Sequence, residues 1–440
     1  MRKKRFTTFQ IIFFSFLSMI LVGTLLLMLP VSSRGEGSVG FLDCLFTATS
    51  AVCVTGLVVR DTATTWSPFG QALILMMIQI GGLGVVTSAV ALVFVSGKRI
   101  GLMQRSTLQE SIAAPQVGGI VRLTKFIVTT TIFLELIGAA LLLPAFWRAL
   151  RSPVAIWYAL FHAVSAFCNA GFDLMGFQGP FASLTGFSQH AWINLVLILL
   201  ITLGGIGFLV WNDVRTHRFR FKLYRLQSKI VLIASAVMIL IPFLWFMAFE
   251  LGQYAVGERI WPALFQSVTL RTAGFNTVDL NEFGSGGHVV MILWMLVGGS
   301  PGSTAGGMKT TTAAVLFLTA RAVFRRKNHV TCMGRRISEE TVLHAVAILV
   351  MCFMLFLVSG VAISRLEGLP LSSCLFETAS AVGTVGVTLG ITSRLGLVSR
   401  GILVALMFLG RVGGLTLIYA AQPAQAGAPS ALPLEKITVG

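Results

Sequence analysis

Four short segments, each lying between two long apolar stretches and each containing a glycine in register, constrain this chain more than any other feature of its sequence. In three of them a serine stands six residues before that glycine, while the third has Val268 there. The segments read TSAVCVTGLV, VSAFCNAGFD, SVTLRTAGFN and ASAVGTVGVT, with the glycines Gly56, Gly171, Gly274 and Gly386. Four registered copies at intervals of roughly a hundred residues indicate an internal repeat.

The stretches that flank these segments have the length and apolarity of membrane spans. The chain has 440 residues, of which 55% are hydrophobic and only 11% are charged, whereas soluble domains carry about 25% charged residues. A span needs about 20 mostly apolar residues. Eight stretches qualify: 10–31, 69–96, 126–146, 190–211, 229–250, 287–320, 342–363 and 397–420. The sequence therefore predicts an all-α polytopic membrane protein.

The short segments are too short to cross a bilayer, so the repeated unit is a span, a re-entrant segment and a second span. Irregular backbone at membrane depth is tolerated where it lines a water-filled cavity or is buried in protein. We therefore predict four units around one central pore. Their short segments are 41–60, 154–175, 259–278 and 371–392, and their boundaries are 1–97, 98–212, 213–327 and 328–440.

The distribution of charge sets the expected orientation. Although the net charge is +17, the basic residues cluster between repeats, at Arg2–Arg5, Lys98–Lys125, Arg215–Lys229 and Arg321–Arg336. Basic clusters mark cytoplasmic loops, so they predict a cytoplasmic N-terminus and no nucleic-acid partner. The first apolar run is too long for a signal-peptide core and indicates a retained span. Acidic residues concentrate in the other loops, either to attract cations or because they avoid the inner leaflet.

The sequence offers little for catalysis. Its six cysteines form no C-x-x-C pair and its six histidines are scattered, so neither a disulfide framework nor a zinc site is indicated. It contains no Ser/His/Asp set typical of hydrolases. We therefore predict that the chain is not an enzyme and carries no organic cofactor.

The short segments have the composition of a carbonyl-lined ion filter, in which backbone oxygens replace the hydration shell of a cation. The fourth contains Thr384-Val385-Gly386, the first three letters of the T-V-G-Y-G filter of potassium channels. Val387 and Thr388 then replace the expected tyrosine and glycine. A lone T-V-G is weakly specific, so the four registered copies carry the prediction.

The four glycines, together with RTAGFNTVDL, GGSPGSTAGGMKT, LGRVGG and the terminal LEKITVG, resemble the membrane subunits of Ktr-type potassium uptake systems, within the Trk/Ktr/HKT superfamily. The resemblance implies a homodimer in the bacterial plasma membrane, gated by a cytoplasmic ring of nucleotide-binding regulatory subunits. It implies K+ as the transported ion. Na+ is a second candidate, and sodium dependence stays open.

The resemblance also implies which residues form the filter. Their carbonyl oxygens would come from Val54, Thr55, Gly56, Asn169, Ala170, Gly171, Thr272, Ala273, Gly274, Thr384, Val385 and Gly386. Because the neighbouring residues differ among the copies, we expect a filter that is less symmetric, and less selective against sodium, than that of a tetrameric channel.

The stretch GGSPGSTAGGMKTT, within 298–312, is a candidate gate because its glycines and proline oppose a regular helix. It approaches the P-loop pattern, but Met308 breaks the spacing and no strand precedes it. The resemblance implies an intramembrane loop beneath the filter that blocks ions, and a kink at a packing contact is the alternative. The gate residues are Gly298, Gly299, Ser300, Pro301, Gly302, Ser303, Thr304, Ala305, Gly306, Gly307 and Lys309.

Isolated charges in apolar surroundings complete the candidate site. An arginine at membrane depth is costly and usually faces a cavity or the bundle interior, so Arg411 is either a barrier to cations or a packing arginine satisfied by carbonyls. Arg271 should point away from the filter and pair with a carboxylate or the backbone. Glu135 should pair with a polar group in the bundle, and a position along an ion path is the alternative.

Two kinds of transporter fit these features. The first is a gated, channel-like potassium pore, which needs four re-entrant segments around one axis. The second is a sodium-coupled secondary cation transporter with broken helices. Secondary transporters usually show two inverted halves, whereas this chain shows four repeats of like orientation, so the sequence favours the pore.

Overall fold

We describe a computed structural model of the chain, covering residues 7–35, 37–85, 87–88, 102–112, 118–218 and 220–413. Several sequence features lie outside the described residues. They are the basic cluster Arg2–Arg5, part of the Lys98–Lys125 cluster and the terminal LEKITVG. The last residues of two predicted spans, most of 86–96 and all of 414–420, also lie outside.

Sixteen α-helices and one short hairpin are found in the part of the chain that the structure describes. The helices are α1 Thr8–Leu27, α2 Phe41–Val52, α3 Thr62–Thr65, α4 Pro68–Leu83, α5 Leu102–Ile112, α6 Ile120–Leu150, α7 Val154–Phe167, α8 Ala191–Ile206, α9 Phe208–His217, α10 Leu226–Trp245, α11 Ile260–Thr269, α12 Ser285–Met295, α13 Thr310–Phe324, α14 Glu339–Glu367, α15 Leu371–Gly383 and α16 Leu397–Val412. The strands β1 Thr331–Cys332 and β2 Arg335–Arg336 pair antiparallel.

Four long apolar helices, one within the bounds of each predicted repeat, face outward. The four are α1, α6, α10 with its π-helical extension to Glu250, and α14. Their most apolar windows are only 22–33% buried, and large side chains such as Phe133, Leu136 and Val358 are exposed. A wide exposed apolar surface of this kind is expected where lipid replaces water.

Each second span that the sequence predicts is broken in the structure. Among the described residues, four helices are long and apolar enough to span, or five if the bent pair α8–α9 counts as one. The break in 287–320 agrees with the interruption that the sequence predicts at 298–312, whereas the breaks in 69–96, 190–211 and 397–420 were not predicted. The helices α4, α8 and α16 stop at Gly84, Gly207 and Gly413, and the predicted span 287–320 is split into α12 and α13.

These breaks have one physical cause. Gly84, Gly207 and Gly413 share φ values of 87°, 99° and 86° with ψ values of 132°, 140° and 131°, a region that side chains with a Cβ oppose. Apolarity continues across each break, so hydropathy alone misses it. At Gly207 the chain turns by 94° between α8 and α9.

Short helices occupy the interior. The four helices α2, α7, α11 and α15 precede the four glycine segments, and most of their residues are buried. The long helices thus surround the short ones. This arrangement reverses the burial seen in a soluble protein, because the most irregular backbone lies deepest in the molecule.

Candidate ion pathway

The four glycine segments share one backbone conformation. The residue two before each glycine has a positive φ: 56° at Val54, 58° at Asn169, 67° at Thr272 and 51° at Thr384. The glycines themselves also have positive φ: 96° at Gly56, 71° at Gly171, 84° at Gly274 and 94° at Gly386. Non-glycine residues adopt this region rarely, so its recurrence at equivalent positions agrees with the register read from the sequence.

The four segments lie against one another in chain order. A Cβ atom added to any of the glycines would meet the backbone of the next segment: the oxygen of Ala170 at 2.6 Å from Gly56, the Cα of Gly274 at 2.7 Å from Gly171, the oxygen of Val385 at 2.8 Å from Gly274, and the oxygen of Thr55 from Gly386. The fourth segment therefore closes on the first. All four glycines line one cavity of about 100 Å³, the mouth cavity.

Hydroxyl groups on the short helices fix the segments in two ways. The hydroxyl oxygen of Ser50 accepts the N–H of Gly56 at 3.1 Å, and that of Ser380 accepts the N–H of Gly386 at 3.0 Å. In the other two segments the hydroxyl donates to the carbonyl that follows the glycine, from Ser165 to Phe172 and from Thr269 to Phe275, both at 2.7 Å.

The third segment thus uses Thr269 in place of the missing serine. Val268 occupies the serine position, and the hydroxyl arises one residue later. The departure at Val268 therefore removes the serine without removing the hydroxyl anchor. The sequence signal for this hydroxyl is Thr269, one residue after the position that serine occupies in the other three segments.

The short helices also favour a cation electrostatically. Each ends three to five residues before its glycine, and unsatisfied carbonyls give a helix C-terminus a partial negative charge. Four such ends, at Val52, Phe167, Thr269 and Gly383, approach the same segments. The surroundings of the four glycines therefore disfavour anions.

Two carboxylates line the mouth cavity, at Asp61 and Asp173. Asp61 is engaged, because its Oδ2 accepts the N–H of Phe181 at 3.0 Å and its Oδ1 that of Thr64 at 2.9 Å. Asp173, in the loop beyond Gly171, accepts the N–H of Met175 at 2.9 Å. Burial raises the pKa of Asp173 to about 7, and the charge of Asp61 adds to this. Sequence reasoning gave Asp173 no individual role.

Glu377 is one of the acidic residues outside the basic clusters, and its side chain is enclosed by the protein. It is fully buried, and its Oε2 accepts the hydroxyl of Thr392 at 2.8 Å. Its Oε1 accepts the hydroxyl of Thr388 and the N–H of Leu389. Glu377 therefore fixes the chain just beyond Gly386 and does not face the cavity.

The predicted gate is a non-helical loop between α12 and α13, which we call the loop (296–309). Its two ends are joined by a hydrogen bond of 2.7 Å from Gly298 N to Met308 O. The middle of the loop forms hydrogen bonds with backbone groups at the α8–α9 break, where the helical hydrogen-bond partners are missing. Ser300 N donates to Gly205 O at 3.1 Å, and Phe208 N donates to Gly302 O at 2.7 Å.

The loop contacts the glycine segments at residues that precede their glycines, whereas the mouth cavity is lined from the glycines onward. The Thr304 hydroxyl donates to Phe167 O at 3.1 Å, just before the second segment. Gly307 N donates to Gly410 O at 3.2 Å. Gly306 is packed so closely against Thr384 that a Cβ would collide with its side chain. A loop from the third repeat therefore touches segments of the second and fourth.

Arg411 ties this loop to the first repeat. Its guanidinium donates to the carbonyl of Thr304 in the loop and to the carbonyls of Gly81 and Gly82 at the end of α4, the last at 3.1 Å. It lines a second cavity of about 270 Å³ with Lys309, the loop cavity. Lys309 itself donates to Ala305 O at 2.9 Å. The arginine is satisfied by carbonyls, as one reading expected, and one of those carbonyls belongs to the loop.

The other isolated charges point away from the ion pathway. Arg271 donates to the hydroxyl of Ser235 on α10 at 3.0 Å, so the expected partner, a carboxylate or the backbone, is wrong and a hydroxyl takes its place. Glu135 accepts from Gln79 at 3.1 Å and lies beside the thiol of Cys168, which agrees with the predicted polar partner.

A family model described as a cation transport protein, TrkH, matches residues 3–426 of the chain. The chain belongs to the TrkH family of cation transport proteins. As a family member it is a multi-pass membrane protein, consistent with its apolar helices.

Curated relatives extend this assignment. The chain is 37% identical over 426 residues to the potassium/sodium uptake protein NtpJ of Enterococcus hirae, covering 95% of this chain and 93% of that protein. It is also 37% identical over 421 residues to the Ktr system potassium uptake protein B of Bacillus subtilis, covering 94% and 93%.

The fold is similar to a solved one. The crystal structure of the potassium transporter TrkH from Vibrio parahaemolyticus aligns with a TM-score of 0.76 at 19% sequence identity, covering 96% of this chain and 86% of that one. At this identity the likeness speaks for the fold alone.

Proposed function

We propose that this TrkH family member takes up potassium through a channel-like pore. The observation that carries the proposal is the closure of the four glycine segments on one another in chain order. Four backbone segments around one axis can replace the hydration shell of a monovalent cation with carbonyl oxygens. Relatives named as potassium uptake proteins support K+ as the ion.

In this proposal the filter consists of the residue triplets that end at Gly56, Gly171, Gly274 and Gly386, one from each of four repeats bounded by 1–97, 98–212, 213–327 and 328–440. The triplets are V-T-G, N-A-G, T-A-G and T-V-G. Their unlike side chains make four unlike environments, so we expect discrimination against sodium to be looser than in a ring of identical subunits.

The gate in this proposal is the loop (296–309) held by Arg411. The loop contacts Thr384, which precedes Gly386, whereas the mouth cavity is lined from the glycines onward. Its anchor at Arg411 adds a fixed positive charge to the path. An ion that leaves the filter therefore meets both a steric and an electrostatic obstacle until the loop moves.

The wider assembly follows from the same family. We propose a homodimer in the bacterial plasma membrane, with the N-terminus in the cytoplasm and a cytoplasmic nucleotide-binding ring that moves the loop. Relatives named as components of a Ktr system support a regulatory partner. The name of NtpJ, which includes sodium, keeps Na+ as a second ion.

Ion flux into proteoliposomes tests the transport proposal. Potassium entry should follow the potassium gradient and persist when sodium is absent from both sides. If uptake requires an inward sodium gradient and can concentrate potassium against its own gradient, the chain is a sodium-coupled secondary transporter and the pore proposal fails.

Deletion of part of 300–307 tests the gate. Removing the segment that lies against Thr384 should raise potassium flux above that of the intact chain. Unchanged or lower flux, in a variant whose thermal unfolding is still shifted by potassium, would contradict the gate assignment.

A further inference from the structure

A basic cavity lies at the start of α10, away from the ion pathway. Its volume is about 440 Å³, and it opens between the connection before α10 and the β1–β2 hairpin. Lys222, Arg225 and Lys229 line it from one side and Arg335 from the other. We call it the linker cavity. It joins two of the basic clusters that the sequence places between repeats.

The positive charge of the linker cavity is poorly compensated. The nearest carboxylate is buried Asp213, which lies 3.7 Å from Arg225 and also accepts from Ser228. Glu339 pairs with Arg336, the neighbour of Arg335. Within the described residues, no carboxylate lies within ion-pair distance of Lys222, Lys229 or Arg335. Of the four basic groups that line the cavity, only Arg225 therefore lies at ion-pair distance from a described carboxylate.

The start of α10 contributes basic side chains to the cavity but not free backbone donors. The helix begins at Leu226, which lines the cavity. The Asp213 carboxylate already occupies its N-terminus, because Oδ2 accepts the N–H of Arg225 at 3.1 Å and the hydroxyl of Ser228 at 2.7 Å. Lys229 donates to the carbonyl of Lys222 at 2.8 Å, so Lys222 and Arg335 are the side chains best placed to bind an anion.

The position of the cavity selects the source of that anion. A candidate membrane span begins at Leu226, and a cavity at the end of a span lies near the level where lipid headgroups meet water. Leu223 and Met333 line it and are 56% and 51% exposed. Exposed apolar groups beside basic ones are typical of a membrane-surface contact.

We propose that the linker cavity binds the headgroup of an acidic phospholipid. The phosphodiester would contact Lys222 and Arg335, while Leu223 and Met333 face the acyl chains. The site would join the connection between repeats two and three to the connection between repeats three and four. It is independent of the ion proposed for the filter.

Lipid retention by the full chain in nanodiscs tests this site. The lipids are phosphatidylglycerol and phosphatidylcholine, with bound lipid counted by native mass spectrometry. The variant combines Lys222→Gln with Arg335→Gln. The matched control combines Arg325→Gln with Lys327→Gln, two exposed residues just after α13. A charge-conserving variant, Lys222→Arg with Arg335→Lys, serves as rescue.

The expected result is selective loss. Each basic residue near a membrane surface contributes about a fivefold factor to binding of acidic lipid, so the double variant should retain phosphatidylglycerol about 25-fold more weakly. The control and the rescue variant should match the intact chain. Phosphatidylcholine retention should be low for all four chains.

Three outcomes would overturn the proposal. Equal retention of phosphatidylglycerol by the double variant and the control would show that the lipid does not bind in the cavity, and an acidic protein surface would then be the candidate ligand. Equal retention of both lipids by the intact chain would show that binding does not require an acidic headgroup. Displacement of phosphatidylglycerol by millimolar inorganic phosphate would identify a free anion as the ligand.

Discussion

Gly56 is a single residue on which the proposed filter depends. Its φ is 96°, and an added Cβ would lie 2.6 Å from the Ala170 oxygen. We therefore expect Gly56→Ser to displace that carbonyl and to lower potassium affinity and selectivity over sodium, measured as potassium flux with competing sodium.

The matched control is Gly40→Ser, at the N-cap of the same short helix. Gly40 has a φ of −58° and open space where a Cβ would stand, and serine is favoured at N-caps. It should transport like the intact chain. Equal selectivity in both variants would mean that the Gly56 carbonyl does not contact the ion.

Asp173 gives the mouth cavity a pH response. Because burial and Asp61 raise its pKa to about 7, its carboxyl group is neutral below that value and charged above it. We expect potassium flux at low concentration to rise about twofold between pH 6 and pH 8, as expected for one partly screened charge.

The variant Asp173→Asn should show low flux at both pH values, whereas Glu258→Gln, an exposed acid remote from the mouth cavity, should keep the response. A pH response that survives in Asp173→Asn would assign it to another group.

Among the elements, the loop (296–309) is held by Arg411 as well as by its backbone hydrogen bonds. The guanidinium joins Thr304 in the loop to Gly81 and Gly82 of α4. We expect Arg411→Ala to increase potassium flux severalfold, because it removes both an anchor and a positive charge. Exposed Arg321→Ala on α13 is the control. Flux that falls in Arg411→Ala alone would indicate that the arginine supports the open pathway.

Much of the site can be predicted from local sequence. Glycine in register gave the four positions where the backbone needs a positive φ, and those positions hold in the structure. The breaks at Gly84 and Gly207 were missed because hydropathy does not change there. Partners distant in sequence were also missed: Gly81 lies 330 residues from Arg411, and no local pattern links them.

At the scale of the whole molecule, an ion-pair cluster joins the first and fourth repeats. Asp43 on α2 accepts from Arg60 at 2.7 Å and from Arg400 on α16 at 2.8 Å. The Arg400 side chain is 23% exposed and that of Arg60 is 57% exposed. Arg400 also donates to the carbonyls of Leu395 and Ser393.

Because of this difference in burial, we expect Arg400→Ala to lower the free energy of unfolding by about 3 kcal/mol. Arg60→Ala should cost less than about 1 kcal/mol. Denaturant unfolding in detergent compares the two. Equal losses would show that burial does not decide the strength of this cluster.

The closure of four unlike segments from one chain has an evolutionary consequence. In a pore of four identical subunits, one mutation changes all four filter segments, whereas in this chain one mutation changes a single segment. Each quarter can therefore be altered while the other three are preserved. Among the described residues, the loop (296–309) lies in the third predicted repeat, and a pore of four identical subunits could not restrict such a loop to one quarter.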